Sequence, residues 1–310
     1  MADLLACPYC KHHPLFVHPQ KARIDENFIV ESKPCEKVCR YTGRKIQDVP
    51  LEICKKCVNI DVLQGDLICN NCGKMYPIID GIPLLTVGIS MQKDSGISVF
   101  EEHSERYDAW FEDINNKIIF ANEVLAIRAL HDFSKDFKAL EIGVGTGRFA
   151  DILGIRFGVD PALNALKIAQ KRRIFVTEGF AEILPFRNES FISTLMVVTI
   201  CYVKRPQTAI SEAYRILKKN GLFIICFIDR ERSWGQFYLQ KKQDGHIFYS
   251  PANFYTEAEI KTMLEKAGFT IAETTYTLSQ LPGLKKYKIE DPRDVDDGVS
   301  SFVCIKAVKY

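Results

Sequence analysis

The sequence predicts an α/β protein in which a doubly wound, mostly parallel sheet follows a small, mostly β domain rich in cysteine. Three observations support this prediction. After residue 100, apolar segments of strand length alternate with helical segments. A glycine-rich turn follows the first of these strands, and eight cysteines lie in close pairs before residue 73. A chain of 310 residues is long enough for two domains.

Composition is that of an ordinary globular protein. Hydrophobic residues make up 47% and charged residues 26%, with a formal net charge of +2. There is no long basic block, so nucleic acid is not indicated, although a local basic face is compatible with this total. The longest apolar run, 192–203, is too short for a bilayer span, and the N-terminus lacks a signal-peptide pattern. We therefore expect a cytoplasmic protein without a membrane partner.

The N-terminal domain, residues 1–88, contains four cysteine pairs. Three of them have C-x-x-C spacing, and the two outer ones, Cys7/Cys10 and Cys69/Cys72, can present four thiolates to one tetrahedral zinc ion. In a reducing compartment this reading is favoured over a disulfide framework or a redox site. One structural zinc is thus expected. The pairs between these turns are candidates for a second site, formed by Cys35, Cys39, Cys54 and Cys57.

Two stretches at the ends of this domain are distinctive. Residues 4–11 read Leu-Leu-Ala-Cys-Pro-Tyr-Cys-Lys, and residues 67–85 contain the run Tyr-Pro-Ile-Ile-Asp-Gly-Ile-Pro. Together they resemble the zinc-ribbon methyltransferase activator subunits, and the cysteine-bearing insert is similar to the archaeal form. Those subunits are separate chains that cover an apolar surface of methyltransferases. The resemblance implies a zinc-ribbon domain that docks in cis, and we expect it on an apolar sheet edge rather than over the cofactor site.

Residues 89–99 are small and polar without periodicity, which predicts a linker. The second domain, residues 100–310, then opens with a helical segment over 113–133, judged by the spacing of its apolar residues. Pro161 suits the first turn of a helix after the second strand. Near-continuous apolarity over 191–198 predicts a strand buried on both faces.

Helix ends are predicted from capping residues. Asn220-Gly221 is expected to stop the helix that begins at 207, and Thr256 is the expected N-cap of the last helix, which Gly268 ends. The alternation implies a parallel sheet with crossover helices. The predicted strands are 138–142, 156–160, 174–178, 191–198, 222–228, 271–277 and 302–308, and the main helices are 161–171, 207–219 and 256–267.

The turn after the first predicted strand indicates a cofactor site. Residues 141–147 read Glu-Ile-Gly-Val-Gly-Thr-Gly, and alternating glycines let a backbone approach a polar ligand at the carboxyl edge of a sheet. A dinucleotide site would have G-x-G-x-x-G and an acid about 20 residues on. Here Asp160 ends the second strand, only 13 residues past Gly147. The pattern favours a nucleoside that carries an amino acid.

Four segments of this domain are characteristic as a set: 141–147, 158–160, 181–186 and 212–218. The set resembles class I S-adenosylmethionine-dependent methyltransferases of the methyltransferase type 11 group, which have a Rossmann-like fold. The resemblance implies that the glycines pass beneath the methionine part, that Asp160 accepts the ribose hydroxyls, and that 179–182 borders the adenine. The cofactor-binding residues implied by it are Tyr107, Glu141, Gly143, Gly145, Gly147, Asp160, Ala181, Glu182 and Val197.

Methyl transfer requires an aligned nucleophile, and a general base only if that nucleophile starts protonated, so the sequence identifies no obligatory catalytic residue. Residues 107–111 resemble the N-terminal lid of this group and form one candidate acceptor region. A second candidate acceptor region is an aromatic set that follows the fifth strand: Trp234, Phe237, Tyr238, His246, Phe248, Tyr249 and Tyr255. Within this set, His246 is the candidate general base. The alternative is that the set packs beneath a cap helix.

Three functions are compatible with the sequence. The first is a methyltransferase for a small-molecule acceptor with its activator fused in cis, the second an RNA- or protein-modifying methyltransferase, and the third a non-catalytic scaffold. Residues 198–203 read Val-Thr-Ile-Cys-Tyr-Val, where enzymes that methylate amino groups of bases or glutamine carry Asn/Asp-Pro-Pro-Tyr. The sequence therefore favours the first function.

Overall fold

In a computed structural model the chain forms two compact units. The first unit contains residues 1–90 together with 177–179 and 185–187, and the second contains the remainder. No helix in the part of the chain that the structure describes is long and apolar enough to cross a membrane. The described residues are 3–24, 39, 42, 44–58, 60–89 and 95–310.

The first unit is the predicted small, mostly β domain. Its strands are β1 Phe16–Ile24, β2 Ile60–Ile68, β3 Met75–Ile79 and β4 Ile82–Pro83, and helix α1, Leu51–Val58, precedes β2. The strands form one antiparallel sheet in the order β1-β2-β3-β4. The unit also contains a backbone bridge between Leu5 and Phe186, where the N–H of Ala6 donates to the carbonyl of Pro185.

A seven-stranded sheet dominates the rest of the chain. Its strands are β5 Ala139–Ile142, β6 Phe157–Asp160, β7 Phe175–Glu178, β8 Phe191–Val197, β9 Leu217–Ile228, β10 Thr270–Thr277 and β11 Phe302–Val308. Their order is β10-β11-β9-β8-β5-β6-β7. Pairing is parallel from β9 through β8 and β5 to β6, whereas β10 and β11 form an antiparallel edge. The predicted doubly wound, mostly parallel sheet is confirmed.

Eight helices described in this part of the chain accompany the sheet. Thr256 caps the last of them, as predicted: its hydroxyl accepts the N–H of Glu259, and the Glu259 carboxylate accepts the N–H of Thr256. This reciprocal pair satisfies two backbone donors that the helix itself leaves open. The helices are α2 Ser95–Glu102, α3 Ser104–Trp110, α4 Ile114–Leu130, α5 Arg148–Leu153, α6 Leu163–Lys171, α7 Pro206–Ile216, α8 Ser233–Gln243 and α9 Glu257–Lys266.

Two predicted boundaries were wrong. The helix predicted over 207–219 ends at Ile216, because Leu217 already pairs with Phe191 of β8 and starts β9. The predicted linker, 89–99, is helical from Ser95 onward. In that helix the ring of Phe100 packs edge-on against two tyrosine rings. These tertiary contacts favour a helix that the local composition does not indicate.

The centre of the sheet determines where a ligand can bind. All residues of β5 are buried, and β8 is buried except for Ile192, which confirms the predicted doubly covered strand. The chain runs from β5 to β6 on one side and later enters β8 on the other side of β5. The strand order therefore reverses between β5 and β8. Ligands of such sheets bind in the crevice outside the carboxyl ends at this point.

Candidate functional site

The glycine turn between β5 and α5 lies at this reversal. Gly143 has a φ of +77°, and a Cβ there would lie 2.2 Å from the side chain of Thr199, in the loop after β8. Gly147 has a φ of +83°. Backbone conformation therefore favours glycine at both positions. Gly145 also has a positive φ, +50°, but a Cβ on it would have its nearest neighbour, Cε1 of Tyr107, 4.0 Å away, which leaves open space beside the turn.

Asp160, at the end of β6, is hydrogen-bonded to the glycine turn. Its Oδ2 accepts the N–H of Gly145 at 2.9 Å, and its Oδ1 accepts the N–H of Ala162 at 2.8 Å. Burial raises the pKa of Asp160 to about 6, although both N–H donors act to lower it. The turn and the carboxylate thus form one rigid polar edge, with two acceptor oxygens that suit vicinal hydroxyl groups.

Glu141 is the penultimate residue of β5 and is only 2% exposed. The N–H of Ala150 donates to its carboxylate, but its Oε2 is buried without a hydrogen-bond partner in the described part of the chain. Burial raises the pKa of Glu141 well above its usual range, and the charge of Asp160 adds to this. A buried acceptor without a donor is costly unless a ligand supplies one. These residues therefore fit a cofactor that carries an amino group and ribose hydroxyls.

Helix α3 is fixed beside the turn by one carboxylate. Asp108 accepts two hydrogen bonds from Arg148, at 2.9 and 2.8 Å, and one from Arg172 at 2.9 Å. Burial alone would raise the pKa of Asp108, but these hydrogen bonds lower it to about 2. The anchor holds the adjacent Tyr107 next to Gly145. The sequence predicted Tyr107 as a cofactor residue but did not indicate how it is held.

The predicted adenine-side residues lie after β7 and at the end of β8. Phe180 and Val197 are buried, and Ala181 begins a short 3-10 helix. The Oε1 of Glu182 accepts the N–H groups of Lys204 and Arg205, at 3.2 and 3.3 Å. This carboxylate therefore also fixes the loop before α7. Its contact with a cofactor remains a prediction.

Aromatic side chains from helices α2, α3 and α8, from the loop after β8 and from the segment after α8 converge at Tyr107. Tyr238 and Tyr249 stack with ring centroids 4.3 Å apart, and His246 stacks on Tyr249 at 4.6 Å. Phe248 connects them to Tyr107, at 6.0 Å. All members are partly exposed, so their ring faces can border a ligand. We call this set the aromatic cluster: Phe100, Tyr107, Tyr202, Tyr238, His246, Phe248 and Tyr249.

Two other predicted aromatics, Trp234 and Phe237, pack against Tyr238 of the cluster, with ring centroids 5.9 and 5.7 Å apart. Trp234 is buried, and its indole N–H donates to the carbonyl of Gln280 at 2.7 Å, which is a packing role within the fold. His246 has a buried Nδ1 without a partner among the described residues. Burial lowers the pKa of His246, and the charges of Lys241 and Arg106 lower it further. A neutral ring at neutral pH is compatible with the predicted base role.

Four cysteines converge in the first unit as the spacing predicts. The sulfurs of Cys7, Cys10, Cys69 and Cys72 all lie within 4.8 Å of one another. The Sγ atoms of Cys7 and Cys72 are 3.6 Å apart, as are those of Cys10 and Cys69. These separations exceed a disulfide bond of about 2.05 Å and suit thiolates around one tetrahedral ion.

The two cysteine turns have the same backbone geometry. In each turn the first cysteine donates its N–H to the carbonyl five positions on and accepts at its own carbonyl the N–H four positions on, at 2.8–2.9 Å. The donor in that second hydrogen bond is Lys11 after Cys7 and Gly73 after Cys69, and both have positive φ, 58° and 72°. The predicted pair of matched turns is thus observed.

The predicted second zinc set is less complete. Cys35 lies outside the described residues. Cys39 and Cys54 pack with Val49 in a small buried cluster. In the described part of the chain, Cys39, Cys54 and Cys57 do not bring three sulfurs as close together as the first set does. Two zinc ions therefore remain a prediction.

Fold and site together define a class: α/β proteins that bind a nucleoside cofactor where the sheet order reverses, here with a four-cysteine domain earlier in the chain. A family model described as a methyltransferase domain matches residues 140–225, and one described as Trm112p-like protein matches residues 1–81. Each model overlaps the segments in which the sequence resembles the corresponding family. Both resemblances are confirmed.

Individual relatives and a solved structure match longer parts of the chain than either family model does. An uncharacterized protein of Mycobacterium tuberculosis is 40% identical over 202 residues, 65% of this chain and 70% of that protein. An uncharacterized protein of Methanocaldococcus jannaschii is 37% identical over 214 residues, 69% of this chain and 100% of that protein. A solved methyltransferase from Thermotoga maritima, described as a possible histamine N-methyltransferase, is 38% identical with a TM-score of 0.63 over 69% of this chain and 99% of its own. The chain belongs to the S-adenosylmethionine-dependent methyltransferases and carries an N-terminal Trm112p-like domain.

Proposed function

We propose that this methyltransferase acts on a small-molecule acceptor bound at the aromatic cluster. The position of Tyr107 carries the proposal. Its ring lies 6.0 Å from Phe248 of the cluster, and its Cε1 is the nearest atom to a Cβ built on Gly145. An acceptor on these rings would therefore border the cofactor turn. Partly exposed ring faces suit a flat or apolar molecule of limited size.

The cofactor supplies an activated methyl group, and the residues of the chain bind and orient it. We assign the ribose hydroxyls to Asp160 and the amino group to the free oxygen of Glu141. The remaining predicted cofactor residues line the turn and the adenine side: Tyr107, Gly143, Gly145, Gly147, Ala181, Glu182 and Val197. Alignment of the acceptor with the methyl carbon can contribute about 7–11 kcal/mol to rate enhancement.

A transfer screen tests this function. The full-length protein is incubated with tritiated-methyl S-adenosylmethionine and cell extract, and the label is counted separately in metabolites, RNA and protein. Label in the metabolite fraction, absent with Asp160→Ala, is the expected result. Label in RNA or protein alone would contradict the small-molecule proposal and favour the alternative class of acceptor.

We also propose that the four-cysteine cluster binds one structural zinc ion. Convergence of four thiols within 4.8 Å supports this, because a closed four-thiolate site has no position for substrate. Zinc analysis of the purified chain gives the stoichiometry. One zinc lost on Cys7→Ser is expected, and a second zinc lost only on Cys54→Ser would establish the second site.

The N-terminal domain is proposed to stabilise the methyltransferase domain in cis. Support comes from the first compact unit, which takes in residues 185–187, with the N–H of Arg187 donating to the carbonyl of Leu4. Residues 91–310 expressed alone are expected to aggregate or melt at a lower temperature than the full chain. Equal solubility and stability of the two would contradict this role.

A further inference from the structure

Tyr76 lies beside the four-cysteine cluster without being one of its predicted ligands. Its hydroxyl oxygen is 3.1 Å from the Sγ atom of Cys7. Both side chains are buried, with exposed fractions of 1% for Tyr76 and 0% for Cys7. Buried polar groups are almost always hydrogen-bonded, and the partner of this hydroxyl is a sulfur of the cluster.

Strand pairing fixes the position of the hydroxyl. Tyr76 pairs with Leu67 of β2, and alternation along β3 buries Tyr76 and Ile78 while Met75 and Ile79 are exposed. Strand β3 follows the second cysteine turn, whereas the sulfur that the hydroxyl contacts belongs to the first turn. The tyrosine therefore joins the two turns through a side chain that the sheet holds in place.

The two cysteine turns match in backbone geometry but not in this hydroxyl. Tyr76 lies seven positions after Cys69, and the residue seven positions after Cys7 is Pro14. A proline side chain has no hydrogen-bond donor, so the hydrogen bond to Cys7 has no counterpart at Cys69 from the equivalent position of the first turn. Removing the Tyr76 hydroxyl therefore changes the surroundings of one sulfur rather than of the whole cluster.

The charge of a loaded cluster gives this hydroxyl a role. Four thiolates around one divalent ion leave an excess of negative charge, and Cys7 and Cys69 are fully buried, so water does not solvate them. Buried charge is costly unless hydrogen bonds compensate it. A metal-bound thiolate carries no proton, so in the pair of Tyr76 and Cys7 only the hydroxyl can donate.

We propose that Tyr76 is a positioning residue of the metal site, whose hydroxyl donates to the metal-bound thiolate of Cys7, orients that sulfur and strengthens the retention of zinc. The inference rests on the proposed zinc ion and adds a residue outside its ligand set. Loss of such an outer hydrogen bond typically lowers metal affinity by about 10–100-fold.

Metal binding to the full-length chain tests this role. Zinc affinity is measured by competition with a chromophoric chelator, and the surroundings of the thiolates by the charge-transfer absorption of the chain loaded with Co²⁺ in place of zinc. Tyr76→Phe keeps the ring and loses only the hydroxyl. We expect zinc affinity to fall about tenfold. We also expect the charge-transfer band to move to longer wavelength, because a thiolate without this donor transfers electron density to the metal more readily.

Two comparisons separate the hydrogen bond from packing. Tyr9→Phe is the matched control, since Tyr9 lies between the two cysteines of the first turn but is 68% exposed, and it should keep both the affinity and the spectrum. Replacement of Tyr76 by 3-fluorotyrosine makes the hydroxyl a stronger donor and should move the band to shorter wavelength. A role in packing alone would leave the Co²⁺ spectrum of both Tyr76 variants unchanged.

The outcomes separate this inference from the proposed zinc site. Unchanged zinc affinity and Co²⁺ spectrum in Tyr76→Phe would overturn the inference while leaving the zinc in place, and so would an equal loss of affinity in Tyr9→Phe. If Tyr76→Phe retained no metal, an unshifted band in the 3-fluorotyrosine chain would overturn it. An unmodified chain that binds no zinc would contradict the proposed metal site, and this inference with it.

Discussion

The four-cysteine cluster and the cofactor–acceptor region differ in whether their buried polar groups have partners within the chain. In the cluster every sulfur has other sulfurs within 4.8 Å, and Cys7 also meets the Tyr76 hydroxyl at 3.1 Å. In the cofactor–acceptor region, one oxygen of Glu141 and the Nδ1 of His246 are buried without a partner among the described residues. A closed set of ligands suits an ion that stays, whereas unpartnered groups suit molecules that enter and leave.

The largest effect is expected at the closed cluster. Cys69→Ser removes one of four thiolates, and structural zinc sites of this kind supply about 10 kcal/mol or more of folding free energy. We expect loss of the metal and of cooperative unfolding in the first unit, measured by elemental analysis and calorimetry. Cys304→Ala, a buried cysteine in β11, is the control and should keep the metal. Full zinc content in Cys69→Ser would show that the cluster is not closed by four ligands.

The next effect is expected at the open site. Asp160→Ala removes an acceptor for two hydroxyls, and hydrogen bonds to a charged group contribute about 1.5–3 kcal/mol each. Affinity for S-adenosylmethionine should therefore fall about 100-fold, measured by calorimetry. Asp151→Ala, an exposed carboxylate on α5, should have little effect. A change of less than about threefold in Asp160→Ala would remove Asp160 from the site.

A smaller effect is expected for Asp108, the carboxylate that anchors α3, and it concerns the free energy of unfolding. The pKa of Asp108 is lowered to about 2, so the stabilisation is complete above its ordinary pKa and is lost as the pH falls towards 2. Asp108→Asn should lower the free energy of unfolding at pH 7 by about 1–2 kcal/mol and flatten its dependence on acid pH. Denaturant unfolding at several pH values measures both.

The matched control is Asp132→Asn. Its pKa is also lowered to about 2, through hydrogen bonds from Ser134 and Lys135, but its side chain is 52% exposed. Solvent screening should leave little of that interaction as stability. Equal destabilisation by both variants would mean that the burial of Asp108 does not strengthen its contribution to the free energy of unfolding.

The smallest effect is a pH dependence of cofactor binding. Burial raises the pKa of Asp160 to about 6, and only the carboxylate form accepts both hydroxyls. Affinity for S-adenosylmethionine should be constant above this pKa and fall about tenfold between pH 7 and pH 5. The fall should be absent in Asp160→Asn. A flat profile for the unmodified chain would contradict the assignment of the ribose to this carboxylate.

The closed cluster could be predicted from the sequence because each half of it is local. A C-x-x-C spacing places two thiols on one turn, so two such turns nearly define the site. The glycine turn, Asp160 and the buried strand over 191–198 are local signals of the same kind. They fix backbone geometry through positive φ, the end of a strand and continuous apolarity.

The open site could be predicted only in part, since its members come from separate elements. Phe100 lies in a helix that was predicted in part as linker, and the role of Asp108 depends on Arg148 of α5 and on Arg172, which follows α6.

The matched cysteine turns have a consequence for the unfolded chain. A metal held by both turns would join Cys10 to Cys69 and so close a loop of about 60 residues, as a covalent cross-link would. By the entropy of loop closure, such a link restricts the unfolded ensemble by about 4 kcal/mol. The strands β1 and β2, which pair antiparallel, both lie inside that loop. Metal binding would thus bring the two ends of this loop together before the residues within it pack.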